Sequence, residues 1–475
     1  MMSMYICFNP KKMKYFINSI LFVLFFSCKP AIVENTATYF GGEIVNPRSN
    51  FVLLLKDEKV IDTLLLDKKN RFIAEYQSLD EGLYTFKHGL EFQYIYLEPT
   101  DSVLVRLNTW DFDESIVFSG KGSSKNEFLI NLFLQNEVEE KTMFHYFNLN
   151  EELFQTKIDS LTEVRENIYQ GYITNELGIS EGFQKLSNAA IHFPIYRLKE
   201  VYPYYYKNSH QLNEFPEVSE IFYGYRDGIN LNETSLLSFY PYQNYVINYL
   251  YNISYQQKEK DSTKSNLTIN VLNAVIENIS SEEIKNTLLK RIVVNDFLKS
   301  ERTCTIDNEK LAIFLKNCTD EAYISQVQNL VNDSKYVENN KPIPNFDVIS
   351  YDNKKSNIID LTKNQKSVIY FWSTEYMSSD YLVSRIKFLE QKHPSILFIG
   401  IQMTAEYLNI LTEPKLKTLD INKQFKLTDT SFANNFLKSR YPRIIILDNK
   451  GLVVNGFTYL DAKNLGQELN KLEIN

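Results

Sequence analysis

Residues Ser367 to Tyr381 read SVIYFWSTEYMSSDY, and no other stretch constrains the fold as tightly. A short apolar run ends at Trp372, a polar turn follows, and an amphipathic segment covers Tyr381 to Lys392. Strand, turn and helix in that order open an α/β unit. Ser378 and Ser379 are placed to cap the helix start, where the first backbone N–H groups lack partners, and Asp380 suits the positive end of the helix dipole. The turn is therefore a place where backbone N–H groups point outward.

The surrounding text supplies the rest of such a unit. Asn339 to Pro344, NNKPIP, reads as a linker. Phe346 to Ser350 is expected as an added first strand, Val368 to Trp372 as the central strand, Ser378 to Lys392 as the first helix and Ile396 to Gln402 as the next strand. Tyr441-Pro442-Arg443 then leads into IIILDNKGLVV, a strand, a turn and a second strand, closed by a helix from Asp461 to Leu472.

Together these residues resemble the thioredoxin-like proteins, above all the membrane-anchored thiol-disulfide oxidoreductases of bacterial envelopes of the TlpA/ResA type. There the turn reads FW-x-x-x-C-x-x-C. Phe371 and Trp372 match, but Tyr376 and Ser379 stand at the cysteine positions. The family's nucleophile is a thiolate, so neither residue can exchange with a disulfide or form one. The resemblance thus implies a thioredoxin-like α/β fold over 341–475 with a degenerate site and no catalytic residue. It also implies a cis Tyr441–Pro442 bond opposite the helix, beside a loop whose backbone pairs with an extended peptide. On that reading Trp372, Tyr376, Ser378, Ser379, Tyr441, Pro442 and Arg443 line a groove that holds a peptide without reacting with it. Tyr370 stands where the family keeps a buried acid that moves protons.

Other chemistry at the turn lacks its parts. Ser379 as a nucleophile needs a base and an oxyanion hole, and the nearest histidine in sequence, His393, lies beyond the helix. Glu375 and Asp380 flank the turn, where carboxylates ordinarily solvate and cap.

At 475 residues the chain exceeds one compact domain, and about two to four are expected. Hydrophobic residues at 44% suffice for ordinary cores, which excludes a disordered chain. The net charge of −8, with no basic stripe, argues against nucleic acid as a partner. Tyr and Phe, 32 of each, read as filling for cores and half-exposed sheet faces in preference to a sugar-stacking surface.

Near the N-terminus, Lys11, Lys12 and Lys14 precede an apolar run from Tyr15 to Phe26, and Ser27-Cys28 follows at once. That run falls short of the roughly 20 residues that span a bilayer, so residues 1–28 are expected to be a cleavable signal. Cys28 resembles the lipobox cysteine of bacterial lipoproteins, which implies lipidation there, although Phe25 and Phe26 depart from the usual aliphatic and small residues. Residues before Met13 look dispensable to that signal, making Met13 an alternative start. The chain is then expected in the cell envelope, tethered to a membrane by lipid and facing the periplasm.

From Tyr39 to Gly120 short β-type runs are broken by turn residues, which predicts an antiparallel β-sandwich over 39–120. The order ending in Pro99-Thr100-Asp101-Ser102 and FSGKG resembles the small β-domain that precedes the thioredoxin unit in envelope lipoproteins. Residues 124–335 carry helical periodicity throughout, with no fixed repeat, and are expected to be all-α. Tyr202 to Tyr206 reads as a helix end with aromatics folded on a core, and residues 258 to 266 as a polar loop. Cys304 and Cys318 bracket helical spacing. A continuous helix would hold them about 21 Å apart, beyond the ~7 Å reach of a disulfide, so both are expected as buried free thiols. Neither they nor the five scattered histidines have metal-ligand spacing, and no metal or cofactor is expected.

Two functions remain open. One is a non-catalytic scaffold that binds an envelope protein or peptide. The other is an auxiliary of a thiol-disulfide oxidoreductase system that relies on Cys304 or Cys318.

Overall fold

In the computed structural model the chain is described over residues 37–475, apart from 58, 90, 177, 261–265, 300–306, 374–376, 378, 404–414, 440, 463 and 475. The signal segment, Cys28, Cys304, Tyr376 and Ser378 lie outside the described residues.

The first part is a sandwich of two four-stranded sheets. Strands β1 (Thr38–Val45), β4 (Arg71–Tyr76), β7 (Ser102–Asn108) and β8 (Val117–Lys121) form one sheet in the order β4-β1-β7-β8. The other comprises β2 (Phe51–Lys56), β3 (Lys59–Leu65), β5 (Gly82–His88) and β6 (Glu91–Leu97), in the order β3-β2-β5-β6. Alternation sets the buried face. In β7, Val103, Val105 and Leu107 point into the core while Leu104 and Arg106 face out. Phe40, Val52, Leu54, Phe86 and Ile95 close the space between the sheets. One expectation is corrected: the sandwich is not wholly antiparallel, because β1 and β7 pair in parallel from Tyr39↔Ser102 to Val45↔Asn108. The chain visits the other sheet between them, and such a crossover permits a parallel neighbour, whereas alternation reports only which face is buried.

Helices fill the middle of the chain: α1 (Ser123–Met143), α2 (Glu151–Asn175), α3 (Glu181–Ser209), α4 (Tyr240–Lys260), α5 (Leu267–Asn278), α6 (Glu282–Lys299), α7 (Asn308–Asn317) and α8 (Glu321–Tyr336). Side-chain caps start several of them, Asn150 for α2, Ser180 for α3 and Asp320 for α8. The aromatic run 202–206 lies in the last turns of α3, where Tyr202 stacks on Phe154 at 4.4 Å between centroids. Cys318 caps the C-terminus of α7 and is buried, and burial pushes its thiol pKa up, away from the reactive thiolate. The helical region is joined to the sandwich by polar bonds: Lys125 sits between Glu98 (2.8 Å) and Asp101 (2.9 Å). Asn126 accepts from the Tyr96 N–H at 2.7 Å and donates to the Tyr96 carbonyl at 3.0 Å.

The last part is a seven-stranded sheet in the order β10-β9-β13-β12-β11-β14-β15. Its strands are β9 (Asp347–Ser350), β10 (Lys355–Asn357), β11 (Ser367–Trp372), β12 (Leu397–Gln402), β13 (Gln424–Leu427), β14 (Arg443–Leu447) and β15 (Val453–Thr458). Between them stand α9 (Ile358–Thr362) and α10 (Ser379–Lys392), and α11 (Leu465–Ile474) closes the chain. Strand β11 runs parallel to β12 through the α10 crossover and antiparallel to β14. Every residue of β11 is buried, as a sheet covered on both faces requires. One face is covered by α10 and α11 around Leu382, Ile386 and Leu469, the other by Phe346, Phe436 and Leu437. This is a thioredoxin-like arrangement, a parallel βαβ unit followed by an antiparallel hairpin.

Among the described residues no helix is long and apolar enough to cross a membrane, and no group of acidic, histidine and cysteine side chains is placed to hold a metal ion.

Candidate functional site

The strand-turn-helix junction sits where β11 ends in the middle of the sheet. Trp372 is the last residue of the strand and is buried, with its carbonyl accepting from the Met403 N–H at 3.0 Å. Ser379, the first residue of α10, is also buried. Asp380, one residue on, is exposed and pairs with Lys415 at 2.6 Å. Helix α10 is held to the far end of the unit: Tyr381 donates to the Asp461 carboxylate, and Arg385 Nε donates to the Leu460 carbonyl at 3.1 Å.

Beneath the junction, Tyr370 is wholly buried and its hydroxyl accepts from Gln424 Nε2 at 2.7 Å. Gly400 on the neighbouring strand makes room for this pair, since a Cβ there would approach the Tyr370 hydroxyl to 2.6 Å. Burial drives the phenol pKa well above its ordinary value, so the group stays protonated at any physiological pH. The pair is a fixed, neutral donor and acceptor beneath the junction.

The loop that enters β14 is closed by the chain's own helical region. Asp333, near the end of α8, is buried, and its carboxylate accepts from the Ser439 N–H at 2.8 Å and the Lys438 N–H at 3.2 Å. Arg443 reaches back the other way. Its Nη1 donates to the carbonyls of Asp333 (3.1 Å) and Phe436 (2.8 Å), and its Nη2 to the Gly456 carbonyl. The guanidinium lies 4.7 Å from the Phe457 ring centre. Tyr441 and Phe457 belong to the same apolar cluster as Phe314, Val327 and Leu330 of α7 and α8. Gly456 permits the approach, because a Cβ there would lie 1.9 Å from the Val337 carbonyl oxygen.

These placements revise the expected groove. Trp372, Ser379, Tyr441, Pro442 and Arg443 are all buried, and Tyr376 and Ser378 lie outside the described residues. The physical reason is specific: a guanidinium is buried here because three carbonyls and an aromatic face receive it, one carbonyl from α8 and the other partners from the loop before β14 and from β15. The Tyr441–Pro442 bond is trans, not cis. The signal that sequence reading missed is Asp333, an acid in the last turns of α8, where a carboxylate opposes the helix dipole and therefore needs another duty. His393 ends α10, about 20 Å of helix away from Ser379, and is bonded to Glu473 at 2.9 Å, so it is no base for that serine.

No family model matches the chain, and no curated protein does. Among solved structures, it is similar to the thioredoxin domain of a thiol-disulfide oxidoreductase from Bacteroides vulgatus, at 18% identity over 29% of this chain and 97% of that one, with a TM-score of 0.22. A thiol:disulfide interchange protein from a Bacteroides species matches at 16% identity over 29% and 90%, TM-score 0.22. The exposed lipoprotein thioredoxin of Streptococcus pneumoniae matches at 18% over 27% and 100%, TM-score 0.21.

Proposed function

We propose that this chain is a lipid-anchored protein of the bacterial envelope whose thioredoxin-like unit does not exchange disulfides and serves as a protein-binding scaffold. The observation that carries the reading is the pairing of two losses. Tyr376 and Ser379 stand where a dithiol is needed, and the loop before β14 is occupied by Asp333, Tyr441 and Arg443 in internal bonds. A unit without the nucleophile and with that loop engaged keeps only surface for its partners. What remains for an envelope protein or peptide is the rim of the turn, where Asp380 is exposed, with the membrane reached through lipid on Cys28. The second reading, a redox auxiliary, rests on Cys304, because the Cys318 thiol is buried.

Insulin reduction by the full chain with a dithiol reductant is expected to match the blank. Turnover above the blank overturns the proposal, and its loss in Cys304→Ser would establish the auxiliary role. Fatty-acid labelling in cells is expected for the natural chain and not for Cys28→Ala. Crosslinked neighbours recovered from intact cells are expected to diminish in Tyr376→Ala, and unchanged recovery counts against the rim.

A further inference from the structure

A cavity of about 1140 Å³ lies where the β3-β2-β5-β6 sheet, α1 and the segment leading into α4 meet. Its frame is fixed by polar bonds. Asn126 of α1 takes the N–H and the carbonyl of Tyr96, and the Tyr94 hydroxyl donates to the Ser238 carbonyl at 3.1 Å and accepts from the Tyr240 N–H at 3.0 Å. The Tyr94 N–H is itself bonded to Gln93 Oε1 at 2.8 Å, so what the cavity offers a ligand is side chains. Phe92 lines it and is 54% exposed, so the cavity opens to solvent there.

The wall that α1 supplies changes character along its length. Two rows of its side chains line the cavity, Leu129-Phe133-Glu137 and Leu132-Asn136-Glu140. Residues four apart stack on one face of a helix, so each row runs from apolar to acidic along the axis. At 1.5 Å per residue, Leu129 and Glu137 stand about 12 Å apart.

Neighbouring elements extend both ends of that gradient. At the apolar end, Leu129, Leu132 and Phe239 belong to one buried cluster with Tyr94 packed against it, and the Tyr94 and Phe239 rings meet edge to face at 5.5 Å. At the acidic end, Asp113 is crowded. Burial, with Glu91, Glu114 and Glu137 adding to it, pushes its carboxyl up to about 6. Glu140 is matched by Arg197 at 2.5 Å, whereas among the described residues no basic side chain ion-pairs with Glu91, Asp113 or Glu137. The one hydrogen bond to Asp113 from a lining residue is neutral, from Gln93 Nε2 at 3.0 Å. Lys87 is the one basic side chain among the described lining residues, so negative charge is in excess.

We propose that this cavity binds an amphiphilic amine, a small organic cation whose ammonium lies among Glu91, Asp113 and Glu137 and whose apolar body lies along α1 toward Leu129 and Tyr94. Burial of the body against the apolar end supplies affinity, and the carboxylates select the sign of the head and relieve their own repulsion on binding it. Because the two ends are stations along one helix, the ligand must carry its charge at one end and its apolar part beyond it.

The test is isothermal titration calorimetry of the full-length chain with n-octylammonium at low ionic strength. Saturable one-to-one binding is expected, weakened about tenfold in the double variant Asp113→Asn, Glu137→Gln. Octanoate, with the same chain and the opposite charge, is expected not to bind, and ethylammonium, with the same charge and little chain, to bind at least about tenfold more weakly. No saturable binding, equal binding of octanoate or of ethylammonium, or equal binding by the carboxylate variant would each overturn the proposal. Hydrogen exchange of the natural chain locates the ligand even if the double variant fails to fold. Octylammonium is expected to slow exchange in α1, and unchanged exchange there would overturn the site.

Discussion

Replacing Asp333 by alanine tests whether the helical region truly holds the loop before β14. The carboxylate is buried and accepts two backbone N–H groups, Ser439 at 2.8 Å and Lys438 at 3.2 Å. The alanine variant leaves both donors without an acceptor. A buried donor stripped of its partner costs about 1–3 kcal/mol, and charged acceptors make the stronger bonds. Lys438 is exposed and its bond is long, so water can replace the acceptor there. The buried Ser439 amide carries most of the loss, which puts Asp333→Ala at about 2–3 kcal/mol. Asparagine keeps one acceptor oxygen and turns the other into a donor, so Asp333→Asn should recover roughly half. Urea unfolding followed by fluorescence gives the magnitude, and hydrogen exchange at the Ser439 amide gives the location. Faster exchange at Ser439 with the sandwich amides unchanged is the expected pattern. A loss below about 0.5 kcal/mol, the range of ordinary surface substitutions, would refute the reasoning.

Tyr370→Phe should cost about 1–2 kcal/mol by stranding the buried Gln424 amide, with thermal melting as the measurement. Glu200→Ala should be the more severe change, about 3–5 kcal/mol, because this buried carboxylate takes Arg226, Tyr225 at 2.6 Å and Asn252 at 2.7 Å. Denaturant midpoints check it against Glu200→Gln, which retains the Tyr225 bond. Asp113 binds a proton more tightly folded than unfolded, so its contribution to stability falls as pH rises from about 4 to about 6. Asp113→Asn should therefore flatten that slope and stabilise the chain at pH 7 by about 1 kcal/mol once solvent screening of a half-exposed group is allowed for.

Periodicity carried much of the C-terminal fold. The apolar run at β11, the βαβ order through α10 and β12, and the turn with Gly451 at φ 78° between β14 and β15 are local features, and each is visible in a few adjacent residues. What escaped was set at long range. Helix α11 begins at Leu465, four residues after Asp461, since Leu460 and Asp461 are engaged with α10 instead. Strand β13 is four residues long and pairs at Gly400↔Gln424, too short a run for alternation to declare itself. The direction of β7 against β1 depends on the path through the other sheet. Arg443 reads as a surface residue in any local window, because Asp333 lies far from it in sequence and Gly456 meets it only across the β14-β15 hairpin. The candidate site was thus legible as a strand-turn-helix junction and illegible as an enclosed one.

The three parts of the chain share one way of handling exposed backbone. An unpaired strand edge or loop invites other chains, and soluble proteins blunt it with side chains or cover. Here Asn126 of α1 caps β6 at Tyr96, Asp333 of α8 caps the amides before β14, and the segment after α8 runs along β15. Along β15, the Asn340 N–H reaches the Val453 carbonyl at 2.7 Å, and the Gly456 N–H reaches the Asn339 side chain at 2.9 Å. The helical region thus does for both β-containing parts what a bound peptide would do for either. The loop before β14 is satisfied from within the chain. The β6 edge is taken at Tyr96 by Asn126 and at the Tyr94 N–H by the Gln93 side chain, 2.8 Å away. Side chains and neighbouring segments have therefore taken up these backbone groups in both β-containing parts.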